Sequence, residues 1–169
     1  MEVVTEIKTD EIVKKELQEK LDNLIKKVKT LKNPLTKFKD YYISVIKKNY
    51  YGYGSEFGKW ESLSEKYAEW KNRTADVDKR ILRLYNRLIK KAFNSGVASD
   101  DKIVFEVAGL PYVRIHQVGG YAGKDRKAYI PPRPYLYSNE EKGFRKKDLL
   151  VLQKITENYL LNDEVNKWI

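Results

Sequence analysis

The sequence predicts an α+β domain: N-terminal helices, a small antiparallel β-meander with an edge strand, and a C-terminal helix. Three features lead to that class. Apolar residues recur at spacings of three and four through most of the first ninety residues, the helical period. The period changes to two at Ile103, Phe105 and Val107, the signature of a half-buried strand. Beyond three prolines at 131, 132 and 134 it returns to helical through Leu149, Leu152, Ile155, Tyr159 and Leu160.

Residues 10–32 read as the first helix, with Thr9 or Asp10 able to cap it. Leu17, Leu21, Leu24, Val28 and Leu31 alternate by four and three, a heptad seam that packs either on its own domain or on a neighbouring subunit. Asn33-Pro34 is a restart signal, and Phe38, Tyr41, Tyr42, Val45 and Ile46 form the apolar side of a helix from about 35 to 50. Two glycines among tyrosines (Tyr50 to Gly54) break it. Residues 1–56 thus form a helical arm or hairpin, and 57–169 the α+β core, the whole being one compact unit.

Ser62 with Glu65 has capping-box spacing and opens a helix carrying Tyr67, Ala68 and Trp70. A longer amphipathic helix, about 79–93, buries Ile81, Leu84, Tyr85, Leu88 and Ala92 and is closed by Asn94-Ser95-Gly96. After the strand at 103–107 the chain turns at Gly109-Leu110-Pro111. Tyr112 to Val118 reads as a second strand, with Val113 and Ile115 on one face and Tyr112, Arg114 and His116 on the other. Residues 119–127 read as a mobile loop. Residues 128–137 read as extended, and their prolines restrict them to an edge. Ser138-Asn139 caps a final helix ending near Leu161, and Trp168-Ile169 docks on this fold or on a partner.

Composition bounds the function. The chain has 169 residues, 41% of them apolar and 34% charged, enough for one modest core. No apolar run is long enough to span a bilayer and no secretion signal is apparent, so no membrane partner is expected. Without cysteine there is neither a disulfide nor a thiolate metal site. The net charge of +10 is spread along the chain and not gathered in a tail, giving a weak, salt-dependent attraction to polyanions. Arg80, Arg83, Arg87 and Lys90 would form a basic stripe opposite the apolar face of the 79–93 helix. That stripe is either a solvated face or a DNA-facing one, and the second option is the alternative function, a nucleic-acid-binding module.

Catalytic chemistry is hard to find. His116 is the only histidine and has no carboxylate at helical spacing, which argues against a metal centre; no cofactor is expected. No P-loop, GxGxxG or GxSxG occurs, and Gly119-Gly120 opens no helix that could cradle phosphate. His116 suits a structural hydrogen bond. Arg133, fixed between prolines, suits a specific carboxylate or backbone pairing. No enzyme activity is expected.

Five segments in order carry a family resemblance: Trp60; LSEKYAEWK (63–71); ILRLYNRLIKKAF (81–93); YVRIHQVGG (112–120); and IPPRPYL (130–136), before a closing amphipathic helix. Over about 57–161 this order resembles the phage virion morphogenesis family, tail-completion or head–tail joining proteins of Mu-like contractile-tailed phages. Members typically show a W-x-x-L-x-x-x-Y-x-x-x-K block, an IL-x-x-x-G-x-L helix, a YA-x-IHQ-x-G-G strand and an IP-x-RP-[FY]-L segment. Asn86 stands where the family usually has glycine, and Val113 where it has alanine.

The resemblance implies a structural virion protein at the tail or neck, assembled in the host cytoplasm. It implies a homo-oligomeric ring, most often a hexamer, with DNA in its lumen and with tail-tube or terminator and head-connector proteins as partners. It also marks Tyr112, Arg114, His116, Gln117, Gly119, Gly120, Pro131, Arg133, Pro134 and Trp60 as interface or fold-specifying residues. The abundance of tyrosine, 13 residues, suits interfaces.

Overall fold

The computed structural model describes residues 11–74, 80–82 and 86–161. Among them are helices α1 (Glu11–Lys29), α2 (Lys32–Tyr51), α3 (Glu65–Arg73), α4 (Arg87–Phe93), α5 (Val113–Val118) and α6 (Lys146–Leu161). Strands β1 (Gly96–Ala98) and β2 (Ile103–Phe105) pair antiparallel, as do β3 (Gly120–Ala122) and β4 (Ala128–Ile130), in two separate sheets. The class is α+β with a C-terminal helix.

α2 is the centre of the core. Its positions 38, 42, 45, 46, 49 and 50 lie on one face at helical spacing and are all buried. That face meets α6, α4 and β1. The rings of Phe38, Tyr42, Phe57, Phe105 and Phe144 pack together there at stacked, tilted or edge-on angles, with centroid separations of 4.8 to 6.0 Å. Phe38, Tyr42 and Phe57, which are buried, each contribute about 1.5–3 kcal/mol through burial. Leu152 and Ile155 of α6 close the same core, whereas Leu149 faces solvent, contrary to its sequence assignment.

Of the expected 1–56 arm, therefore, α2 is core and α1 stands outside. α1 is pinned at its C-terminal end, where the Leu31 amide donates to the Asp100 carbonyl (2.8 Å) and Tyr159 Oη donates to the Thr30 carbonyl (3.2 Å). Its seam is uncovered: Leu17, Leu21, Leu24 and Val28 are 38 to 59% exposed.

Several local readings need correction; among them, α6 begins at Lys146, so Ser138-Asn139 does not cap it, and Asn139 bonds Gln117 instead. Residues 113–118 are helical, and so the expected meander resolves into two hairpins on either side of α5. α3 begins at Glu65 with Ser64 at the N-cap position, so Ser62 lies two residues too early to cap it. Residues 120–122, read as loop, form β3, and the strand reading of 128–137 holds only to Ile130. Among the described residues of the helix expected at 79–93, 80–82 are not helical and only α4, from Arg87, is. Asn86 before it is left-handed (φ 56°), which ends any helical register with Arg80. Asparagine thereby fills a backbone role for which glycine is the usual residue. Thr9, Asp10, Arg83, Leu84, Tyr85, Trp168 and Ile169 lie outside the described residues.

Candidate functional site

The segment from α5 to the proline-rich stretch forms one buried lock, and Gln117 is its bolt. Pro111 and Tyr112 turn the chain so that the Val113 amide donates to Leu110 and the His116 amide to Tyr112. The resulting six-residue helix buries Gln117. Its Nε2 donates to the carbonyl of Tyr137 (2.8 Å) and to Asn139 Oδ1 (3.0 Å). Its Oε1 accepts from the amides of Tyr135 (3.2 Å) and Leu136 (3.1 Å). Two donors and two lone pairs are the full capacity of a glutamine amide. Asn139 Nδ2 returns a bond to the Gln117 carbonyl (2.8 Å).

Gly119 ends α5 with φ 76°, and a Cβ there would lie 2.9 Å from both the nitrogen and Cδ of Pro132. Only glycine lets the two segments touch this closely. Gly120 (φ 146°) sits over Ile115 and starts β3. The chain returns through β4, and the Arg133 amide donates to the His116 carbonyl (2.7 Å).

Arg133 is buried and reaches the other way. Nε donates to the Glu61 carbonyl (3.2 Å) and Nη2 to the Ser62 carbonyl (3.1 Å), which fixes the approach to α3. Desolvation lowers its pKa, countered by the charges of Glu61 and Tyr67. The expected specific pairing is thus with backbone carbonyls. The next carbonyl, of Pro134, accepts from Trp60 Nε1 and Asn49 Nδ2, both at 2.9 Å. Asn49 Oδ1 accepts in turn from the amides of Glu56 and Phe57.

His116 takes a different part. Its ring meets Tyr112 edge-on at 5.7 Å, and its buried Nδ1 has no hydrogen-bond partner. Burial, helped by the Arg133 charge, lowers its pKa to about 4, so the ring is neutral at physiological pH. The structural hydrogen bond expected of it is made by its backbone carbonyl and not by Nδ1.

The structure thus brings Trp60, Gln117, Gly119, Arg133 and Pro134 together, with His116 and Gly120 beside them. Pro131 is half-buried, and Tyr112 and Arg114 are on the surface. Of the basic stripe, Arg87 and Lys90 are exposed on α4 and Arg80 lies in a turn before it.

Sequence reasoning missed Asn49 as a polar hub, although its place on the apolar face of α2 was a legible signal. It also missed a second buried cluster. Arg145 grips Asp148 through Nε (2.6 Å) and Nη2 (2.8 Å), and donates through Nη1 to Glu56 Oε2 (2.6 Å). Lys48 and Lys147 also contact the Glu56 carboxylate, at 2.6 and 2.8 Å. Tyr41 Oη donates to Asp148 Oδ1 (2.9 Å). Burial raises the Glu56 pKa, but Lys147, Lys48 and Arg145 outweigh it and bring the value down to about 2. This cluster ties α2 and the loop after it to the start of α6.

Every side-chain polar atom of Gln117, and Nε and Nη2 of Arg133, is spent on the chain's own backbone or on Asn139. Such groups specify a fold and are not available to a substrate. Among the described residues no group of three His, Asp or Glu is placed to hold a metal ion, and no helix is long and apolar enough to cross a membrane. A family model described as the phage virion morphogenesis family matches residues 53–161, a span that starts after α2 and takes in Gln117, Arg133, Glu56, Arg145 and Asp148. No curated protein and no solved structure matches the chain.

Proposed function

The chain belongs to the phage virion morphogenesis family, and from that premise we propose that it is a non-enzymatic structural protein that completes the tail or forms the head–tail joint. It acts as a homo-oligomeric ring, six copies being the expected number, with DNA passing through the lumen. Its partners are the tail tube or terminator on one side and the head connector on the other. Its place is the tail or neck of the virion.

The observation that carries this reading is the family match over most of the chain. The chemistry of the family's motif residues supports it, because IHQVGG and IPPRPYL are consumed in mutual hydrogen bonds and close packing. Surfaces for neighbours remain: the uncovered seam of α1 and the stacked, exposed rings of Tyr67 and Trp70 on α3, 5.3 Å apart.

The test is electron microscopy of lysates from a phage whose gene for this chain is deleted. Full heads and separate tails should accumulate, and the intact gene supplied in trans should restore joined particles. Joined, infectious particles at normal titre without the gene would refute the reading.

A further inference from the structure

The β3–β4 hairpin carries an exposed aromatic pair that takes no part in the core. Tyr121 and Tyr129 are cross-strand partners, their ring centroids 5.3 Å apart, and they are 64% and 57% exposed. Neither ring joins the hydrophobic core. The tip between the strands reads Gly123-Lys124-Asp125-Arg126-Lys127, exposed throughout. Its one acid makes only a long, solvated contact with Lys127 (3.7 Å), too weak to neutralise it. An open concavity lies between Tyr121 and Arg126. The base of the hairpin is held firmly by the Gly119–Pro132 contact and the Arg133–His116 backbone bond. The element is therefore a short finger on a rigid mount, with three cations at its tip and two flat rings on one side.

We propose that this hairpin is a sequence-independent contact for the phosphate backbone of double-stranded DNA. Three cations within four residues suit an array of phosphates, and a two-stranded ribbon fits the major groove, about 12 Å wide. The tyrosines offer a hydroxyl to phosphate and a ring face to sugar. The chain's surplus of ten positive charges favours a polyanion over an acidic patch on a protein. The alternative stripe is less well built, since Arg80 and the α4 residues Arg87 and Lys90 do not share one helix. The inference rests on the proposed function only in taking duplex DNA as the polyanion encountered.

The test is fluorescence anisotropy of the full chain with a short labelled duplex, titrated from about 50 to 200 mM salt. The variant set is Lys124→Ala/Arg126→Gly/Lys127→Ala together, and Tyr121→Ser/Tyr129→Ser together. Arg126 has φ 50°, so glycine there removes the charge while relaxing the backbone, and a thermal melt checks that the fold persists. The triple variant should bind at least about 10-fold more weakly at the low-salt end. Its log–log salt slope should be shallower by about 2.7, three phosphate contacts at about 0.9 each. The tyrosine pair should weaken binding with the slope unchanged, because the rings carry no charge.

An unchanged slope in the triple variant, or no duplex binding at low salt, would overturn the proposal. Equal competition by polyglutamate would overturn it in favour of an acidic protein surface. The two readings fail separately. Absent DNA binding by a protein that still completes tails sinks only the hairpin. Hairpin-dependent DNA binding by a protein that phages can lose without defect sinks only the assembly role.

Discussion

Replacing Gln117 tests the lock most sharply. Gln117→Ala removes four hydrogen bonds that hold residues 135–139. It leaves the Tyr135 amide, in a residue only 1% exposed, without its partner. At about 1 kcal/mol for each lost bond the cost is about 4 kcal/mol. That is a large share of a global stability of about 5–15 kcal/mol, and at about 3 °C per kcal/mol it lowers Tm by about 12 °C. Gln117→Glu keeps the shape and the acceptor facing Tyr135 and Leu136. It also sets a second oxygen against the Tyr137 carbonyl, where a donor now stands at 2.8 Å. At pH 7 the carboxylate is buried against an acceptor, and the loss is at least as large as for alanine. Burial raises the pKa of that new carboxyl, and once protonated it donates to Tyr137 again. Melts followed by circular dichroism at pH 7 and pH 5 should show the gap between wild type and Gln117→Glu narrowing at the lower pH. The gap for Gln117→Ala should stay constant. A Gln117→Ala protein melting within about 3 °C of wild type, a loss of only about 1 kcal/mol, would refute the reasoning.

Two further outcomes follow from the same geometry. Acid should destabilise the protein in two stages, because both shifted groups bind protons less readily folded than unfolded. His116, held at about 4, contributes stability present above pH 6.5 and lost as pH falls toward 4; Glu56, held at about 2, contributes stability lost below about 4.5. His116 is worth on the order of 3 kcal/mol and Glu56, whose lysine partners are exposed and screened by solvent, less; urea midpoints measured against pH should flatten in the upper window for His116→Phe. Asn86→Ala, forcing alanine into φ 56°, should cost about 1 kcal/mol while Asn86→Gly stays near wild type. Equal urea midpoints for the two variants would contradict the left-handed assignment.

The contrast between α2 and α5 explains what the sequence could reveal. The face of α2 is set by spacing within one helix, so the burial of Phe38, Tyr42, Val45 and Ile46 is local information. In residues 113–118 the alternation of Val113 and Ile115 imitates a strand, whereas the deciding term is Gln117 bonding a backbone about twenty residues away. Propensity yields to such contacts. The Glu56–Arg145 pair, 89 residues apart, leaves no local trace. The sequence shows Asn86 as a departure from the family's glycine, but its left-handed backbone depends on where α4 starts, at Arg87. The candidate site was legible as a set of residues, since Trp60, Gln117, Arg133 and Pro134 do meet. Their secondary structure and partners were not.

The central claim is that this chain is a lasting structural part of the particle. Quantitative peptide mass spectrometry of purified virions tests it most directly. A fixed small number of copies per particle, near six, is the result expected; intact infectious virions holding none of the chain would contradict it.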